Sequence, residues 1–498
     1  AVVSHDATLS DLRICSAYKG QNLAQTDITS IYPRYYTLTQ NSEFDYTASG
    51  VKKYDRVALI WFKPGSPKST TKVNGLPYSI NGVEYLWQCI GAGCIILPTD
   101  GREMDIVIEV TAEDTTTINT YTVHITRPAP YKYSRGVGTW RKPFEIWTAE
   151  DLYNMRDYCC NVYDLKYWYL MRYYFKQMAD IDLSSYSNWE PIGCDSEDGQ
   201  YFFGAYDGSN FRITGLHIDT TIDAIKGNFG LFGTTGGVTS PSLISSLNPT
   251  VCHTPVTAVD IHKSYYRNIR IVGADIKVSY RNTSGINPYT QVVVGILAGC
   301  CSSYVVNTKV SGSVEFVLIP GGDNVFLETC IGGFCGSMIG IIRGCSADVN
   351  IKTNRYKGCL GGFCGNMALD NLSLFSDNLK QYLNQDDVLS VIQECYAVAN
   401  LSGTSINAED SWADGQGYHG LGGFVGNANC SGWYGSLGMS AVTSYDYNEI
   451  RDCYVIYDMS NMPISQVAGG FTATAMIPVV NCFAAGEGVA KWLSLIHI

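Results

Sequence analysis

Charge is what this sequence has least of. Charged residues make up 16% of the 498, and the net charge of −12 comes without any basic stripe, so nucleic acid is not an expected partner. No stretch approaches the roughly 18–20 consecutive apolar residues that span a bilayer. Catalytic signatures are missing as well. His5, His124, His217, His253, His262, His419 and His497 form no H-E-x-x-H, and neither G-x-S-x-G nor a Walker A loop occurs. GQGYHG (415–420) satisfies G-x-G-x-x-G, but it follows the polar AEDSWAD and opens no helix, so no nucleotide cofactor is expected.

What is present points to extended structure. Hydrophobic residues at 46% and aromatics at 12% exclude a disordered chain. Low charge with 50 Gly and 35 Tyr fits β structure whose solvated face uses Tyr, Ser, Thr and Asn in place of Lys and Glu. The length exceeds one compact core, so two or more units are expected. Ala1 is neither an initiator Met nor the start of a signal peptide. LSLIHI (493–498) reads as the in-frame translation of a sequencing adapter, which makes these residues a probable tail and implies a natural chain continuing beyond Trp492.

Residues 1–130 alternate apolar and polar in short runs: LSDLRI (9–14), RVALIWF (56–62), MDIVIEV (104–110) and TYTVHIT (120–126). With no long helical segment, this predicts an antiparallel β-sandwich. LSDL, IYPRYYTL, KVNG (72–75) and above all IVIEVTAEDTTTINTYTVHITR (106–127) resemble the bacterial cadherin-like domain. Gly101, Arg102 and Glu103 stand where that family has an asparagine turn. The resemblance implies an extracellular spacer or binding module. Cys89 and Cys94 could bridge or stay as thiols, and PAPYKYSRGVG (128–138) reads as a boundary, with the linker at 131–137.

From residue 138 the chain repeats itself. FGLFG (229–233), GILAG (295–299), GGFCG (332–336), GGFCG (361–365), GGFVG (422–426) and GGFTA (469–473) share one core, and most lead to a second element such as IRGCSADV (342–349) or VVNCFAAG (479–486). Leu297 to Thr308, Phe334 to Cys345 and Phe471 to Cys482 are each 11 residues apart. Two strand-forming stretches per repeat, with a shortest period of about 29 and no helical crossover, predict a β-helix or solenoid over 138–492 with loop insertions near 366–390 and 427–448. Equivalent residues then stack. Phe334, Phe363, Phe424 and Phe471 are expected in one internal column, Cys345, Cys395, Cys453 and Cys482 in another, and Cys335 on Cys364. Cys330 and Cys335, an odd number apart, would face opposite sides of an extended strand, and C-x4-C lacks the zinc-knuckle turn, so structural thiols are expected and no metal.

FEIWTAEDLYNMRDY (144–158), ADIDL (179–183), NWEPIG (188–193), FFGAYDG (202–208), ITGLHI (213–218) and NFGLFG (228–233) follow one another in the order that GLUG-repeat proteins show. That resemblance covers about 138–490 and implies a bacterial secreted or surface protein. Thr148 and Asp151 fit a capping box, with Leu152, Met155 and Tyr158 on one face of a short helix covering the first coil. No cap is visible at the other end, so the chain alone is expected to associate through that edge.

Acidic clusters were weighed as sites. Asp195, Glu197 and Asp198 could bind calcium but break the EF-hand spacing, and Asp180 with Asp182 could pair on a carbohydrate but sit in a repeated motif. No catalytic, cofactor or metal residue is assigned. The aromatics of KYWYLMRYY (166–174) and CSGWYGSLG (430–438) suit sugar or protein contact. The sequence therefore predicts a non-enzymatic adhesin or stalk, extracellular or cell-surface attached, with glycans or neighbouring cell-surface proteins as partners. The alternative is a carbohydrate-active β-helix enzyme, or the accessory region of a secreted protease.

Overall fold

The computed structural model describes residues 3–16, 35–53, 55, 57–78, 94–98, 100–161, 173–193, 200–222, 226–235, 265–281, 290–301, 303–319, 327–338, 340–354, 358–367, 390–403, 420–428, 449–462, 468–475 and 477–488. Contacts divide it into two units, one dominated by 1–132 and the other by 133–155, 172–197 and everything from 201 on. Almost all regular structure is β.

The N-terminal unit holds two sheets. Leu9–Ser16, Val57–Pro64 and Cys94–Ile96 form one, all antiparallel. Thr37–Ser42, Asp45–Ser49, Ile118–Thr126, Glu103–Thr111, Thr70–Val73 and Leu76–Pro77 form the other in that order. Strict alternation puts Ile106, Ile108 and Val110 inward, with Tyr121, Val123 and Ile125 beside them, and these share one core with Ile14, Ala58, Ile60 and Phe62 of the first sheet. One pairing departs from the antiparallel expectation, because Asp45–Ser49 runs parallel to Ile118–Thr126. Cys89 lies outside the described residues, as does the side chain of Cys94.

The second unit is a stack of coils with four walls, where the sequence suggested two strands per repeat. A coil runs through Tyr304–Val306 in the first wall, Lys309–Leu318 in the second, Leu327–Gly332 in the third and Cys335–Met338 in the fourth. The next coil resumes at Ile341–Arg343. Every wall is a parallel sheet. Within each GGF segment the chain bends between the third and fourth walls, so one sequence motif yields two strands. Glycine is required at that bend because a Cβ on Gly333 would lie 2.2 Å from the Gly362 carbonyl oxygen, and one on Gly362 would lie 2.2 Å from that of Gly423. The same bend separates Cys330 and Cys335. The strand ends at Gly332, so the two cysteines occupy different walls and both are buried, and the opposite-face argument fails because its extended strand is absent.

The one α-helix among the described residues, Ala149–Tyr153, follows the strand Phe144–Ile146 and packs on it. Its capping box is complete: the Asp151 N–H donates to Thr148 Oγ1 at 3.1 Å, and the Thr148 N–H donates to Asp151 Oδ2 at 3.0 Å. Leu152 is buried on this helix, whereas Met155 and Tyr158, expected on the same face, are buried on the 3-10 turn Asn154–Tyr158 that follows it. Among the described residues no helix is long and apolar enough to cross a membrane, which says nothing about β-barrels.

Candidate functional site

The columns form the spine on which any site is mounted. Phe334 and Phe363 stack with ring centroids 4.6 Å apart, Phe363 and Phe424 at 4.9 Å, and Phe424 and Phe471 at 4.9 Å. Cys335 pairs in register with Cys364. Cys330 and Cys359 pack with Val293.

Cys345, Cys395, Cys453 and Cys482 do more than fill space. Before each stands a left-handed residue, respectively Gly344, Glu394, Asp452 and Asn481, which turns the column residue's N–H out of the wall's ladder. The thiols close that gap. The Thr308 N–H donates to Cys345 Sγ, Cys345 N–H to Cys395 Sγ and Cys395 N–H to Cys453 Sγ, each at 3.4 Å. Each thiol in turn donates to the carbonyl two residues back, at 3.3 Å for Cys345, 3.1 Å for Cys395 and Cys453, and 3.2 Å for Cys482. Thr308 makes the same bond with its hydroxyl, to Val306 O at 3.1 Å. Burial pushes the Cys395 thiol well up, and the bond to Cys395 raises Cys453 likewise, which favours the protonated form of both.

The left-handed positions carry a polar ladder of their own. Asn307 donates to Asn268 Oδ1 at 2.8 Å, and Asn481 donates to Asp452 Oδ1 at 3.0 Å. The signal was in the sequence, as a Gly, Asn, Asp or Glu immediately before every column residue from Ile269 to Cys482.

The carboxylates weighed for catalysis are occupied. Asp180 accepts from the Arg212 backbone N–H at 2.8 Å and from its guanidinium at 3.0 and 2.9 Å. Asp182 accepts from the Ser184 N–H and hydroxyl, both at 3.0 Å. These bonds hold both carboxyls below the usual range, whereas a general acid needs one raised. DSEDG (195–199) lies outside the described residues. So do 415–419, 430–438 and all of 166–174 except Tyr173 and Tyr174. One described group could share an ion: Glu103, Asp105 and His124 place ligand atoms within 4.8 Å of one another. His124 is already engaged there, with Asp105 Oδ1 2.7 Å from Nδ1 and Asp45 Oδ2 3.0 Å from Nε2.

The feature that sequence reasoning missed is the loop at 134–143, whose first four residues fall in the expected linker. Gly136 and Gly138 adopt φ of 85° and 73°. A Cβ would strike the Pro143 carbonyl at 1.9 Å from Gly136 and the Phe144 ring at 2.4 Å from Gly138. The Val137 N–H bonds to Lys142 O at 3.0 Å, and Tyr174 N–H bonds to Gly138 O at 2.9 Å, fixing the loop to the first wall. Trp140 at its tip is 60% exposed. It packs against both Tyr174 and Tyr265, 5.7 and 5.8 Å from their rings and crossing them at 75° and 90°, and those two rings lie 6.2 Å from each other. In the wall's register Ala205 separates those tyrosines, and Tyr304 follows Tyr265. Trp140 thus caps the two rings that meet across the small residue and adds to an outward aromatic row. The signal was GTWRKP (138–143), a tryptophan flanked by turn residues and cations.

No family profile matches the chain. A protein of Evansella cellulosilytica, provisionally named a Gly-rich membrane protein, is 34% identical over 116 residues, which is 22% of this chain and 12% of that protein. The chain thus covers only a small part of that relative's length. A Bacteroides ovatus crystal structure, provisionally named an immunoglobulin A1 protease, aligns over 72% of this chain and 87% of its own with 16% identity and a TM-score of 0.34.

Proposed function

We propose that this chain is a non-enzymatic extracellular or cell-surface protein, an adhesin or stalk that binds glycan or protein ligands from the outside of a repeat scaffold. The observation that carries the reading is Trp140, a large ring left mostly in water yet locked in place by its loop and two tyrosines. Preorganised exposed aromatics favour ligand contact because little ordering remains to be done on binding. Under this reading the N-terminal unit is a cadherin-like spacer and the stacked coils are GLUG-type repeats. Supporting it are the alternating hairpin of 103–126 and the GGF bends at which successive coils touch. Asp180 and Asp182, each tied to a structural partner, fit a scaffold role.

A glycan-array screen with and without calcium, followed by a product assay on each hit, tests the proposal. Saturable binding with the glycan left intact is the expected result. Shortened products would overturn the non-enzymatic reading, and a hit that depends on calcium would redirect attention to Asp195, Glu197 and Asp198.

A further inference from the structure

We infer that the outward face around Trp140 is a binding site for an anionic polysaccharide, one bearing carboxylate or sulfate groups along the chain. This rests on the ligand-binding reading above and adds the place and the chemistry. The row next to the aromatic one runs Glu145, Lys176, Asp207, Arg267 in register down the first wall. Arg267 is bound to Asp207 at 2.9 Å and lies over the Tyr265 ring at 4.7 Å. Glu145 accepts from Trp147 Nε1 at 2.8 Å and faces Arg135 at 3.9 Å. Both carboxylates in the patch are therefore matched.

The remaining cations are not. Arg141, Lys142 and Lys176 are exposed and make no ion pair among the described residues, although Lys176 stands in register between Glu145 and Asp207, whose carboxylates bond elsewhere. They flank Trp140 in sequence or Tyr174 in the wall. In a chain of net charge −12, this puts an excess of positive charge where a fixed aromatic row is already exposed. A polysaccharide suits both features: its C–H faces can lie on the rings while its acidic groups meet the cations. The repeat of about 4.8 Å between strands gives a straight row that a linear polymer can follow.

The test measures affinity of the full chain for polygalacturonate and heparin, with neutral dextran, phosphatidylserine vesicles and polyglutamate as comparison probes. Trp140→Ala and the pair Arg141→Glu with Lys142→Glu are the variants, each checked for unchanged melting. Binding to an acidic glycan, weakened at least tenfold by either variant and weakened by salt, is expected. Dextran bound as tightly as the acidic glycans would overturn the charge argument. Vesicles or polyglutamate bound as tightly would overturn the assignment to a glycan. Acidic-glycan binding that survives both variants would move the site elsewhere and leave the broader function standing, whereas silence of the unaltered chain toward every glycan would sink both.

Discussion

The two units solve the same problem, covering β-strands with mostly uncharged sequence, by opposite rules of neighbourhood. In the N-terminal unit each strand faces a different strand. Complementary residues can therefore meet, as Lys72 does Glu109 at 2.9 Å and as His124 does between Asp45 and Asp105. In the stacked coils each residue faces its own equivalent one coil away. Only groups that tolerate their own kind suit such a column: rings on rings, asparagine on asparagine, thiol on backbone and thiol, glycine where backbones touch. Tyr396, Tyr454 and Phe483 show this on the outside, with rings 5.0 and 5.2 Å apart and nearly parallel.

Charge in the stack is arranged in several rows of alternating sign, although Asp458 faces Glu487 near the last coil. Asp219, Lys277, Glu315 and Lys352 pair in register, with contacts of 3.7 Å at the first step and 2.9 Å at the last. Glu145, Lys176, Asp207 and Arg267 alternate in the same way. The row Arg212, Arg270, Lys309 breaks the rule, and there Asp180 sits on Arg212. Low charge content suits a stack in which like residues face each other.

Breaking the self-contact rule inside the stack should do most damage. Gly362→Ala drives a Cβ into the next coil's carbonyl and is expected to cost about 3 kcal/mol in thermal denaturation. Gly75→Ala in the N-terminal unit has open space and only its φ of 79° against it, so about 1 kcal/mol is expected. Phe363→Ala should cost about 3–5 kcal/mol in the same assay. In the quasi-one-dimensional stack, hydrogen exchange should rise chiefly in the flanking coils and leave the N-terminal unit protected.

Cys395→Ala leaves the buried Cys345 N–H without its acceptor, an expected loss of about 1–3 kcal/mol, while Cys395→Thr, copying Thr308, should lose less. Equal losses in chemical denaturation would reduce the thiols to filler. Lys352→Glu sets like charges against each other at Glu315 and should cost less than about 1 kcal/mol.

In the N-terminal unit the charges meet different partners, so pH should act there. Asp45 and Asp105 raise His124 above its ordinary 6.5, and Asn41 and His124 lower Asp45 below 3.8. The histidine's contribution is complete below its unfolded value and fades as pH rises through the raised one. The aspartate's is complete above its unfolded value and fades as pH falls through the lowered one. Melting between about pH 5 and 9 should show the alkaline decline in the unaltered chain and a smaller one in His124→Gln.

Much of the spine was legible because stacking imposes self-similarity. The 11-residue step from Phe334 to Cys345 marks two columns, and the alternation of MDIVIEV marks a half-buried strand. Two things escaped. The GGF bend hid a second strand in each segment, since a glycine that permits backbone contact leaves no apolar period to read. Trp140 was hidden because its loop occurs once, so no repeat announced it, and its glycines resembled those of a linker until Phe144 and Pro143 were seen against them.

The most direct test of the in-register stack is a distance between spin labels placed, through unnatural amino acids, at Ser313 and Glu487. The register passes from Ser313 through Asn350, Asn400 and Asp458 to Glu487, one coil at a time. Four steps of about 4.8 Å predict a backbone separation of roughly 19 Å and a narrow distribution. A broad distribution centred well beyond 30 Å, adrift from any multiple of the coil spacing, would contradict the stack and everything argued from it.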